Sequence, residues 1–232
     1  MPLKRTTSQD SRLLPFSCKL LALFLSYTTW AMGISLASSK SWRVWELKSD
    51  TISEVFIGLW EVLYFQKINI SSSNVKTPVY SIINSSWVVS NAIWYGQDLI
   101  LLSNFMKSVV MVFATVAMMI TWIRAPYPEF LRLCYNISSF FLLLSSICTL
   151  TTVCWNYSAE FYGQTTLEFP VGFPIAKELI TKKRFTYVFP LGLATSIVSV
   201  ICASMFLSES FLLREWIQEV LNDLASSSPV LS

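Results

Sequence analysis

The chain has 232 residues, of which 53% are hydrophobic and 13% charged; that is about half the charged fraction of an ordinary soluble domain and argues for a membrane protein. It contains no histidine and six glycines, which excludes imidazole acid–base pairs, the commonest zinc and copper ligand, and glycine-rich phosphate cradles. A net charge of +3, with the basic residues scattered, does not make the one-sided footprint of a nucleic-acid binder.

In chain order, residues 1–19 read as a cytosolic N-terminus and residues 20–39 as a first membrane span, since roughly 20 apolar residues cross a hydrocarbon core of about 30 Å. The run is too long for a removable signal peptide and lacks a small-residue cleavage site. Residues 40–98 form a large extracellular segment holding Trp42, Trp45, Trp60, Trp87 and Trp94. Its β-favouring residues predict strands near Trp42–Leu47, Val55–Tyr64 and Thr77–Ile83, separated by turn-like stretches at 48–53 and 71–74. The alternative is an irregular loop with its aromatic side chains on the membrane interface.

The second span, residues 101–123, extends the uncharged run from Ser108 back through Lys107, whose ammonium is expected to snorkel to the outer headgroups. A lysine held at mid-membrane would instead mark function. A tight cytosolic turn at 124–132 carries Pro126 and Pro128, followed by a third span (133–155), a shorter extracellular loop (156–184) and a fourth span (185–208). In the tail, 209–232, Leu213, Trp216, Ile217, Val220, Leu221 and Leu224 recur at helical spacing, predicting a short amphipathic helix with an acidic polar face. The expected fold is a four-transmembrane-helix bundle with a small antiparallel β-sheet ectodomain from the first extracellular loop.

Lysine and arginine counts barely separate the two sides of such a bundle. The acceptor sequences at Asn69, Asn84 and Asn156 fall on one side and make these residues glycosylation candidates, with both termini cytosolic; Asn136 falls inside the third span. Cys148, Cys154 and Cys202 lie within spans and read as packing residues. Cys18 and Cys134, at cytosolic span ends, are palmitoylation candidates, with an idle thiol as the alternative. No cysteine pair has metal-binding spacing.

Trp42-Arg43-Val44 soon after the first span, Gly58-Leu59-Trp60, Gln97-Asp98-Leu99 just before the second span and Phe161-Tyr162 in the second loop, combined with long-then-short outer loops, together resemble the claudin family over about Phe16 to Leu207. The chain resembles a divergent member. The cysteine pair that claudins place after Gly-Leu-Trp is absent, its first expected place being Leu63; the basic residue four positions after Gln-Asp-Leu is Ser103; and Gln164 stands for the proline of the second-loop turn. Such a sheet must rely on packing of Trp60, Val62, Tyr64 and their neighbours. The chain ends Pro229-Val230-Leu231-Ser232, with serine where claudins end in an aliphatic residue, so PDZ scaffold binding is predicted weak or absent.

The resemblance implies a structural, non-enzymatic component of tight junctions in the plasma membrane. It would act through side-by-side and trans loop contacts, with itself, other claudins and membrane lipid as partners, and with neither cofactor nor nucleic acid. Trp42, Gly58, Leu59, Trp60, Gln97, Asp98 and Leu99 would be the fold signature. Phe161 and Tyr162 are trans-contact candidates, with anchoring at the membrane interface as the alternative. Five basic and five acidic residues in the first loop give no ion preference. The alternative function is an auxiliary tetraspan subunit regulating a channel or receptor. A membrane enzyme is disfavoured, because the spans offer serine, threonine, tyrosine and Asn136 without carboxylate or histidine.

Overall fold

The computed structural model describes residues 14–227, except 50, 71–72, 85, 125, 164–166, 168, 171–172, 175–178 and 185; for 68–70, 73–75 and 227 it describes the backbone. The elements are α1 (Phe16–Ser38), β1 (Arg43–Leu47), β2 (Ile52–Ile57), β3 (Glu61–Ile70), β4 (Ser73–Ile82), α2 (Asn91–Ile123), α3 (Pro128–Phe161), β5 (Ile180–Arg184) and α4 (Val188–Ser227). All four helices are long and apolar enough to cross a membrane. Gln164, the basic residues of the N-terminal segment up to Arg12 and the terminal Pro229-Val230-Leu231-Ser232 lie outside the described residues.

Each helix is longer than its uncharged run. Helix α2 begins ten residues before the expected span and α3 ends six after it, so Asn156 and Phe161, expected in a loop, belong to a helix. Helix α3 starts on Pro128, a first-turn position where a missing N–H costs no hydrogen bond. Helix α2 stops at Arg124, whose φ of 54° is left-handed and breaks the repeat. Helix α4 runs unbroken for 40 residues. Its tail is therefore not a separate helix: from Leu193 to Ser227 the sequence has neither glycine nor proline to end it.

By contacts the chain forms two compact units, and all four helices contribute to both. Unit 1 comprises residues 1–30, 105–146 and 197–232. Its core joins Ala22, Val110, Ala114, Ala117, Cys134, Leu142, Cys202 and Phe206; small residues here let helix backbones approach closely. Tyr135 stacks on Phe206 with ring centroids 5.7 Å apart. Leu213 and Ile217 of the α4 extension are buried, whereas Leu221 and Leu224 are exposed. Lys107 sits at the midpoint of α2 and is 1% exposed, so its side chain is buried within unit 1 rather than extended to the surface as expected of a snorkelling lysine.

Unit 2 comprises residues 31–104 and 147–196 and contains the sheet. The five antiparallel strands lie in the order β4-β3-β2-β1-β5. The stretch expected as one strand from Val55 to Tyr64 is two, β2 and β3, folded back at Gly58-Leu59-Trp60, where Gly58 N–H donates to the Glu61 carbonyl at 2.8 Å. Strand β5, from the segment between α3 and α4, was not expected; it adds to the outer edge of β1 with Val44 opposite Arg184. The core gathers Trp45, Val55, Ile57, Leu59, Val62, Ile93, Ile100 and Leu167. All five cysteines are free thiols. In place of a strand-to-strand cystine, Phe169 and Phe173 stack at 4.9 Å and meet Trp45, Tyr64 and Trp87 edge-on, with centroids 5.0–6.0 Å apart.

Candidate functional site

The signature residues converge within unit 2. Trp42 donates its indole N–H at 3.0 Å to the Leu36 carbonyl in the last turn of α1, which also accepts from Ser39 N–H at 3.4 Å. Gly58 is needed because a Cβ there would stand 2.9 Å from the Ser39 carbonyl oxygen, 3.0 Å from that of Glu61 and 3.2 Å from the Lys40 Cα, all backbone atoms. Leu59 is fully buried, and its carbonyl accepts from Gln97 Nε2 at 2.6 Å. The Trp60 carbonyl accepts from Ile83 N–H at 2.8 Å, and the half-buried indole packs on the core. Gly58-Leu59-Trp60 and Gln97 are thus one interlocked unit, 38 residues apart at the Leu59–Gln97 bond. Leu99 is half-buried, while Asp98 is exposed.

Beside this lies a charged network whose residues the sequence reading did not join. Glu160, in the last turn of α3, accepts from Trp45 Nε1 at 2.8 Å and pairs with Arg43 Nε at 3.2 Å and Lys183 Nζ at 3.4 Å. Arg43 Nη2 also donates to Asn156 Oδ1. Asn156 Nδ2 donates to the Ala92 and Thr152 carbonyls, at 2.9 and 2.8 Å. Arg184 pairs with Glu46. Strands β1 and β5 and helices α2 and α3 are thereby tied through polar side chains. The Arg43 and Glu160 side chains are 2% and 6% exposed. Burial pushes the Arg43 guanidinium's pKa down, and the adjacent Glu160 carboxylate opposes this. The spacing of Asn156 and Glu160, one helical turn apart, was the available signal: it puts both on one face of α3.

Asn156 is corrected as a glycosylation candidate. It is 5% exposed and its Nδ2, the atom that would carry a glycan, already makes two bonds. Asn84 is exposed and accepts from Ser86 N–H at 3.1 Å; Asn69 lies on β3, its side chain outside the described residues. Cys134 is fully buried, which closes it to an acyl chain in this fold, whereas Cys18 is half-exposed.

Phe161 and Tyr162 are 63% and 70% exposed, with rings edge-on at 5.3 Å. They close α3 where Gly163, at φ +67°, takes the left-handed conformation that ends a helix. Unit 1 has a second buried pair, Lys19 Nζ to Glu209 Oε1 at 2.6 Å, with Leu14 N–H donating to Glu209 Oε2 at 3.2 Å. Among the described residues, no three cysteine, aspartate or glutamate side chains come together as metal ligands. The arrangement of unit 2 is one that holds strands against helices and presents aromatic side chains outward. No protein-family model and no curated protein matches the chain.

Proposed function

We propose that the protein is a claudin-like structural component of tight junctions, a multi-pass plasma-membrane protein that mediates cell–cell adhesion and controls the paracellular route. In this reading both termini are cytosolic, and the α1–α2 and α3–α4 segments face outward. Side-by-side and trans contacts are made by the sheet and by Phe161 and Tyr162, with further copies and claudins as partners. The observation that carries the reading is the interlock of Gly58-Leu59-Trp60 with Gln97, beside the Trp42 bond to the end of α1, in a sheet drawn from the α1–α2 and α3–α4 segments.

The test is expression of the tagged full chain in cells that lack junctions, followed by live imaging and freeze-fracture of contacts. Enrichment at contacts and intramembrane strands are expected, and both fall when Phe161 and Tyr162 are changed to alanine. Diffuse surface staining, with a channel co-purifying in fixed stoichiometry, would replace this reading by that of an auxiliary subunit.

A further inference from the structure

A cleft of about 540 Å³ opens in unit 2 beside the end of α1. One wall is polar: Ser35 from the last turn of α1, then Lys40 and Ser41 from the link to β1. The facing wall is apolar: Phe56 of β2 with Leu63 and Phe65 of β3, the two phenyl rings edge-on at 6.3 Å. Tyr187, immediately before α4, completes the lining. With α1 and α4 spanning a membrane, as their length and hydropathy allow, the end of α1 and the start of α4 lie toward one face of the bilayer, which puts the cleft near the headgroups.

Its chemistry is that of an amphiphile, and its charges select the kind. Lys40 Nζ lies 3.1 Å from Glu61 Oε1 and 4.3 Å from the centre of the Tyr80 ring, with both charged side chains about a third exposed. An ammonium has three donors, so one carboxylate leaves capacity for a phosphate, while the carboxylate and the aromatic face suit a cationic amine. A fixed cation and anion side by side match a zwitterion better than a net anion.

We infer that this cleft binds one zwitterionic glycerophospholipid. The phosphate lies at Lys40 and the hydroxyls of Ser35 and Ser41, the headgroup amine is directed to Glu61, and an acyl chain lies against Phe56, Leu63 and Phe65. The inference goes beyond junction assembly and rests only on the helices entering a membrane, so it stands if contact enrichment fails.

The test is native mass spectrometry of the full chain released from micelles holding dioleoylphosphatidylcholine. One retained lipid per chain is expected. Lys40→Gln, which removes the charge without setting a second carboxylate beside Glu61, and Phe65→Ser should each lower retention at least tenfold while the chain stays folded by its thermal melt. Dioleoylglycerol, which lacks the phosphate, should be retained tenfold less, and soluble glycerophosphocholine should fail to displace the lipid. Equal retention by wild type and both variants, equal retention of the glycerol, displacement by the soluble headgroup, or no retained lipid would each overturn the proposal.

Discussion

Glu160 is the carboxylate on which one indole and two cations converge, within 2.8 to 3.4 Å. Breaking a buried ion pair from one side leaves the other charge stranded, at a cost of about 3–5 kcal/mol. Glu160→Gln should therefore destabilise by that amount, read as a fall in the thermal midpoint of the purified protein. The double change Glu160→Leu with Arg43→Met should recover only part of the loss: it strands neither of those two charges but takes away the partners of the Trp45 indole N–H and Asn156 Oδ1. Gly58→Ala has no such rescue: the atoms its methyl would meet are backbone, and overpacking of this kind costs about 1–3 kcal/mol. Asp98→Asn, in the same signature but on an exposed side chain, should stay within about 0.5 kcal/mol by the same melting assay.

At the level of elements, the sheet is held by aromatic packing where its resemblance implied a cystine. Trp87 is 5% exposed and meets both Phe169 and Phe173; Trp87→Ala should cost about 3–5 kcal/mol in a denaturation experiment. The missing staple can also be supplied. Leu63 faces Tyr80 across β3 and β4, and directly opposed antiparallel residues have Cα atoms about 4.5–5.5 Å apart, within disulfide range. Leu63→Cys with Tyr80→Cys should close a bridge visible on a non-reducing gel and raise stability by about 3 kcal/mol, an increment removed by reductant.

The elements differ in how far they can be read in advance. The cores of the four helices are legible because a charge-free run of some twenty residues has few other uses. Their ends are not, because Asn91–Ile100 and Asn156–Phe161 mix polar and apolar residues and become helical by packing. Strands β2 and β3 read as one because a single glycine is the only turn residue in Gly58-Leu59-Trp60. Strand β5, Ile-Thr-Lys-Lys-Arg, has the composition of a solvated loop and becomes a strand only through β1. Of the site, Gly58-Leu59-Trp60 and Gln97 were visible as local words. The Arg43–Asn156 and Trp45–Glu160 bonds join residues 113 and 115 positions apart, which periodicity cannot link.

For the whole molecule, sidedness is the property that the proposed function most depends on. If the sheet faces outward, the glycosidase-sensitive mobility shift of protein made in mammalian cells should be reduced by Asn84→Gln. It should be unchanged by Asn156→Gln, since that amide is committed to the Ala92 and Thr152 carbonyls. No glycosidase-sensitive shift in the wild type would count against that sidedness.

The strand order also sets a timetable for biosynthesis. Strands β1 to β4 follow one another along the chain and pair as neighbours, so they can zip together as soon as they emerge. The remaining edge of β1 waits for β5, 137 positions further on from Arg43 to Ile180. At translation rates of 5–20 residues per second that is a delay of about 7 to 27 seconds. Through most of that interval Arg43 and Trp45 also lack Glu160, so a guanidinium destined for burial and an unpaired strand edge stay open together. The nascent chain is then most vulnerable to wrong pairing, and the arrival of β5 both closes the sheet and ends the hazard.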